Sequence, residues 1–407
     1  MKVDVAVIGG GPAGSVCAAR LAQHGRSVLV LERDHHPRFH LGESLLPCSM
    51  RVLDAVGVLD EAKARFLPKR GARFVASDDD ARAVRYAFAE AFHAAWDHAF
   101  QVPRDEFDEM LFRRAGASGA EVREGWEVTR VVFEGARARA VEARGPGGTV
   151  ETIEACVVVD ASGREAMMAR AAGTTERIAH LDRTALFTQV RGAWRDDGER
   201  EGDIQIVVMT GDEHGWFWLI PFADGRTSVG VVVSAPWVRA RRELGRPEAL
   251  FDAAVAQSST VTRMLEGTSR LFPPRAAADF SFRVRSLKGP GWLSAGDATG
   301  FIDPLFSTGV HLALHSGFGA ADAIHASLDD GDVPPERFEA WEQELKAGAE
   351  LYVGAVQAFY EGDLTAQLFA EPQHPFLRRA IASMLSGDVF ADAPWARGMR
   401  TRYPARS

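Results

Sequence analysis

Cysteine is scarce in this chain of 407 residues: Cys17, Cys48 and Cys156 are the only three, scattered and odd in number. That argues against a disulfide framework or a zinc site and fits a reducing cytoplasm. Lysine is nearly as scarce, with Lys2, Lys63, Lys69, Lys288 and Lys346 forming the whole set. No basic excess exists either, since 47 Lys+Arg stand against 56 Asp+Glu for a net charge of −9. A general nucleic-acid binder needs a basic face to displace counterions, so that class is set aside. No apolar run approaches the roughly 18–20 residues that span a bilayer. The longest, Val3–Gly11 and Gly215–Phe222, are strand-sized. With no signal-peptide pattern ahead of the first strand, the expected location is cytoplasmic.

What is present is the balance of a globular enzyme, 46% hydrophobic and 25% charged. The length exceeds what one hydrophobic core usually supports, so two or three units are expected. The first 34 residues read as strand–helix–strand: an apolar run Val3–Ile8, a helix Pro12–His24 with Pro at its start and Gly25 past its end, and a second strand Ser27–Leu31. Residues 60–95 are charged and mixed in period, 121–159 and 184–234 alternate as antiparallel strands do, and the chain after Pro335 is mostly helical.

Gly9-Gly10-Gly11-Pro12-Ala13-Gly14 spells G-x-G-x-x-G between that strand and helix, and Glu32 ends the next strand 18 residues later. Gly9 allows the tight turn, Gly11 lets the backbone approach a pyrophosphate, and Gly14 lets the helix pack on the strand. The helix start offers free N–H groups to phosphate, and Glu32 can accept from ribose hydroxyls. An acid there favours a free 2′-hydroxyl, hence NAD or FAD over NADP. The lack of a second such loop favours one tightly held FAD.

Two later strand-to-turn segments, Val157–Arg164 and Ser294–Gly300, each carry an Asp among small residues. With them the chain resembles the FAD-dependent superfamily that includes aromatic hydroxylases, geranylgeranyl reductases and flavin-dependent halogenases. Gly42-Glu43-Ser44-Leu45-Leu46-Pro47 is similar to a stretch shared by halogenases and reductase relatives. Trp216-Phe217-Trp218-Leu219-Ile220-Pro221 resembles the W-x-W-x-I-P signature of the halogenases, and Phe301–Gly309 their F-x-x-P-x-x-S-x-G pattern. A Phe at 306, where tryptophan halogenases carry Glu, is similar to the phenol- and pyrrole-type branch.

The resemblance implies an α/β, glutathione-reductase-like FAD-binding fold with an inserted antiparallel-sheet substrate domain and a C-terminal helical region. Its units would be 1–175 with 276–328 for FAD, 176–275 for the sheet and 329–407 for the helices. Cofactor contacts are expected at Gly9, Gly11, Pro12, Ala13, Gly14, Glu32, Arg33, Arg104, Asp297, Pro304 and Gly309. A halide, chloride or bromide, is expected near Ser307, Thr308 and Gly309, where a helix start repeats the anion logic; Ser307 could equally be an ordinary N-cap. Alternation puts Trp216 and Trp218 on one strand face, either as a wall between flavin and substrate or as core beneath the flavin. Lys69, in Phe66–Phe74, resembles the family's catalytic lysine. It would relay hypohalous acid, formed through a flavin hydroperoxide, to an electron-rich aromatic ring; a solvated loop charge beside Arg70 is the other reading. Arg104 could likewise be a solvated helix-start charge.

The implied partners are a separate flavin reductase that supplies reduced FAD and a small aromatic secondary metabolite, free or tethered to a carrier protein. Nucleic acid, metal and membrane are not expected. The rival readings are an aromatic hydroxylase, which would accept electrons from NADPH directly, and a reductase or desaturase of the geranylgeranyl reductase type. The region after Pro335 is short for the family, so an open substrate side is expected.

Overall fold

The computed structural model describes residues 1–93, 95–178, 181–209, 215–278, 281–329 and 333–406. Lys2–Ile8 forms a buried strand with parallel neighbours on both sides, Val5 opposite Val28 in Val28–Glu32 and opposite Val157 in Val150–Asp160. Trp292–Ser294 and Glu121–Glu124 extend this parallel set at its two edges. A hairpin, Glu127–Glu134 and Arg137–Arg144, pairs with the first half of Val150–Asp160, so that strand is antiparallel at its start and parallel at its end. Helix Pro12–Gln23 packs against helices Arg104–Ala117 and Thr308–Asp329, and apolar residues from these elements make one core.

The first helix sits close on its strand because Gly14 carries no side chain: a Cβ there would lie 2.0 Å from the Gly9 carbonyl oxygen. Interiors are packed densely enough that such an overlap must move backbone.

The second large sheet orders its main strands Arg183–Arg191, Arg226–Ser234, Trp216–Pro221, Ile204–Val208, Gly71–Ala76 and Ala83–Ala87. Its last two strands come from 71–87, outside the segment 176–275 in which the sequence places the inserted sheet. Gly71–Ala76 runs parallel to Ile204–Val208, with Phe74 opposite Ile206. That pairing joins segments about 130 residues apart, and no local pattern announces it. One face of the sheet carries Trp216, Trp218 and Ile220; the other carries Phe217 and Leu219 against the helices of 235–264. This is the period-two alternation of a strand buried on both faces.

Helices Glu339–Tyr360, Pro375–Ser386 and Pro394–Arg402 pack their apolar sides onto the tryptophan face. The tail thus joins the core behind that face, where Trp216 is 2% and Trp218 5% exposed. Apolar positions such as Leu351, Tyr352, Val356 and Ile381 had nowhere else to bury.

Gly14→Ala should lower unfolding free energy by about 3 kcal/mol, because an overpacked methyl meets backbone rather than a flexible side chain. Urea titration reads this directly, and an unchanged midpoint would show that the helix is not seated as described.

Candidate active site

A cavity of about 650 Å³ runs from the carboxyl ends of the parallel strands to the tryptophan face of the second sheet. At one end Gly9, Gly11, Pro12 and Ala13 form its wall, so the start of the first helix opens onto it. No side chain caps that helix, which leaves its first-turn N–H groups for a ligand. Glu32 is oriented by backbone: its Oε2 accepts from Gly10 N–H at 2.7 Å and its Oε1 from Asp34 N–H at 2.9 Å. Arg33, on the same rim, is exposed and pairs with Glu165 across the cavity mouth. These groups fit a dinucleotide with phosphates on the helix start and a ribose beside Glu32.

Arg104 is not a solvated charge. Its side chain is buried and forks onto Asp108, Nε to Oδ1 at 2.7 Å and Nη2 to Oδ2 at 2.9 Å, while Nη1 donates to the Leu41 carbonyl. The same cavity wall holds Asp297, whose carboxyl is pushed up to about 6 by desolvation against the pull of Arg104 and Arg164.

At the far end Trp216, Trp218, Pro304, Ser307 and Gly309 line the cavity. Ser307 takes a left-handed backbone, φ 58°, after the turn Pro304–Phe306, so it is not the extended N-cap that the sequence allows. The helix begins at Thr308, whose Oγ1 is buried without a hydrogen-bond partner. Gly14, Thr308 and Lys69 lie behind the cavity wall rather than on it.

Lys69 ends the short strand Leu67–Lys69, paired with Ala99–Gln101. Its amine is buried, donates to the Leu45 carbonyl at 3.0 Å and lies 5.1 Å from the centroid of the Phe88 ring. Desolvation lowers its pKa to about 7, with Asp203 opposing. Glu43 and Ser44, just before Leu45, are on the cavity wall, which puts the amine directly behind it.

Comparison with known proteins adds the chemistry. Residues 2–355 match the FAD binding domain family. The chain is 32% identical to a tryptophan 2-halogenase of Chondromyces crocatus, covering 96% of this chain and 75% of the relative. It is 31% identical to a 1H-pyrrole-2-carbonyl-[peptidyl-carrier protein] chlorinase of Pseudomonas fluorescens, over 95% of this chain and 90% of the other.

The chain belongs to the flavin-dependent halogenases. A solved flavin-dependent brominase superposes with a TM-score of 0.88 at 27% identity, covering 99% of this chain and 98% of the other. A flavoprotein/dehydrogenase from Cytophaga hutchinsonii superposes at 0.90 with 32% identity, covering 99% and 97%. The halogenase is thus an FAD-dependent oxidoreductase, and no described helix is long and apolar enough to cross a membrane.

Arg38 and Glu43 are among the charged groups on this halogenase's cavity that sequence reasoning missed. Arg38 reaches over the glycine loop, its Nη2 3.5 Å from Glu32 Oε2 and its Nη1 3.5 Å from Asp108 Oδ2. Glu43, read as part of a branch marker, is a buried carboxyl pushed up to about 7 by desolvation, although Ser228 and Gln189 both donate to it. The marker itself was the available signal: an acid among apolar residues needs a partner if it is buried.

Lys69 makes stability depend on pH in a defined direction. Its pKa in the folded enzyme lies below the unfolded value, so folding is penalised while the unfolded amine is charged. That penalty is complete below about 7 and fades as pH rises from there toward 10.5. A tenfold change in a protonation equilibrium is worth about 1.4 kcal/mol, so the penalty is large enough to read in melting experiments. Lys69→Met should therefore raise the melting temperature most at pH 6 and progressively less up to pH 10. A stabilisation that does not change with pH would contradict the buried, desolvated amine.

Proposed function

We propose that this enzyme halogenates an electron-rich aromatic ring of the phenol or pyrrole type, with chloride or bromide as halogen source and reduced FAD delivered by a separate flavin reductase. The observation that carries the reading is the cavity itself, which joins the glycine loop at one end to Trp216, Trp218 and the Ser307–Gly309 turn at the other. Bound FAD, once reduced, supplies with O₂ the oxidising equivalents that turn halide into hypohalous acid.

The chain's own residues divide the remaining work. Gly9 to Gly14, Glu32 and Arg33 would hold the dinucleotide, with Arg104 and Asp297 along its length and Pro304 and Gly309 at the far end. N–H groups at the Thr308 helix start, beside Ser307, would hold the halide. Trp216 and Trp218 would keep substrate away from the cofactor by bulk alone. An amine with a pKa near 7 is partly neutral and partly charged at neutral pH, which suits Lys69 to receive hypohalous acid either as a hydrogen-bond donor or as a chloramine. Phe306, buried before Ser307, supports the phenol or pyrrole branch over tryptophan. The pyrrole chlorinase relative acts on a carrier-bound substrate, so a tethered ring is one substrate form to supply.

The test is incubation with FAD, a flavin reductase, NADH, O₂, bromide and a panel of free and carrier-tethered phenols and pyrroles, followed by mass spectrometry. Products with paired bromine isotopes are expected. Hydroxylated products without bromine, or rapid reduction of the protein's flavin by NADPH alone, would favour the hydroxylase reading instead. Lys69→Ala should go on consuming reduced flavin and O₂ while forming no halogenated product; normal halogenation would remove Lys69 from the mechanism.

A further inference from the structure

Both indoles of the tryptophan wall are fastened in the same manner. Trp218 Nε1 donates to Ser228 Oγ at 3.1 Å, and the Ser228 hydroxyl donates to Glu43 Oε2 at 2.6 Å. Trp216 Nε1 donates to the Tyr360 hydroxyl at 2.9 Å, which in turn donates to Asp303 Oδ2 at 2.8 Å. Each chain runs from indole through one hydroxyl to a buried carboxyl, the Trp216 N–H also reaching Asp303 itself, and the two chains share no member. A buried indole N–H needs one acceptor, which a single carbonyl could provide. Here the acceptor is a hydroxyl whose own proton is committed, so its lone pair faces the indole in a fixed direction.

The far ends of the chains are anchored as well. Glu43 Oε1 accepts from Gln189 Nε2 at 3.1 Å, and Gln189 sits opposite Ser228 in the sheet register. Asp303 Oδ1 accepts from Leu305 N–H at 3.1 Å, inside the turn that ends at Ser307. The Arg183 guanidinium lies 3.6 Å from the centroid of the Tyr360 ring and closes the second chain from the side. The two ring centroids of Trp216 and Trp218 stand 5.8 Å apart at an interplanar angle of 48°, a tilt that strand geometry alone does not fix.

We propose that Ser228 with Glu43, and Tyr360 with Asp303, are positioning residues that set the mutual tilt of Trp218 and Trp216 and thereby the shape of the wall between cofactor and substrate. The functional part of this rests on the reading of the tryptophan pair as that wall. The first chain ties the wall to the Gly42–Leu45 segment, the second to the Ser307 turn and the last residue of helix Glu339–Tyr360.

Two tryptophans at this separation couple as excitons in circular dichroism, and the couplet depends on their tilt. The wild-type spectrum minus that of Trp218→Phe isolates the pair from the remaining tryptophans. Ser228→Ala and Tyr360→Phe each remove one hydroxyl and should each change the couplet, with or without FAD. Each should also lower halogenated product per reduced flavin consumed by roughly fivefold, the worth of one hydrogen bond. Glu43→Gln keeps an acceptor oxygen and should retain the wild-type couplet. Glu43→Ala should lose it, and Glu43→Ala with Ser228→Ala should be no worse than Ser228→Ala alone, because both break one chain.

Unchanged couplets in both hydroxyl variants would overturn the proposal, as would a Glu43→Gln spectrum matching Glu43→Ala. If the couplet changes while product per flavin stays at the wild-type value, the positioning holds and the reading of the tryptophans as a wall fails. Should Tyr360→Phe prove too unstable to measure, Ser228→Ala tests the same claim from the independent chain.

Discussion

The first turn of any helix has N–H groups with no partner inside the helix, and burying them unpaired is costly. Two helix starts, at Pro12 and at Thr308, open onto one cavity from different parts of the chain. They stay together because their helices cross at very close range: a Cβ on Gly317 would lie 2.3 Å from the Ala13 carbonyl oxygen. The parallel sheet fixes the first start at its carboxyl edge, and Trp292–Ser294 delivers the chain to the second. The cavity thus meets a positive helix end from each direction, a surface that attracts anions such as a dinucleotide's phosphates.

The second sheet supplies the opposite kind of surface. Its inner face is apolar and aromatic, and the tail helices complete it. Where the two surfaces meet, charge is handled by bidentate pairing, as at Arg104 and Asp108, or by hydrogen bonds from neutral donors, as at Glu43. The first is strong and fixed. The second leaves an acid that burial pushes toward its neutral form.

Local spacing made part of this legible in the sequence. The strand, glycine loop, helix and Glu32 fall within one short segment, so the dinucleotide end could be read residue by residue. Alternation alone put Trp216 and Trp218 on one face. The rest depends on contacts between distant positions. Ser228 meets Glu43 across 185 residues and Trp216 meets Tyr360 across 144, and no window of sequence contains either pair. Lys69 lies in a segment whose wording suggested a role, yet its burial comes from partners such as Leu45 and Phe88 that its immediate neighbours do not reveal. For the same reason the strands of 71–87 looked like mixed-period chain, and the tail looked helical without showing what it covers.

The buried groups described around the cavity have one more consequence. Loss of water pushes the Glu43 carboxyl up to about 7 and those of Asp297 and Asp303 up to about 6, and pulls the Lys69 amine down to about 7. A protein interior usually holds charges that are settled at neutral pH, either paired or absent. Here burial works against the charged form of four groups on or next to one cavity. A ligand that fills the cavity and displaces its water works further against the charges of Glu43 and Asp297 on its wall, so binding there and the protonation of these carboxyls are coupled.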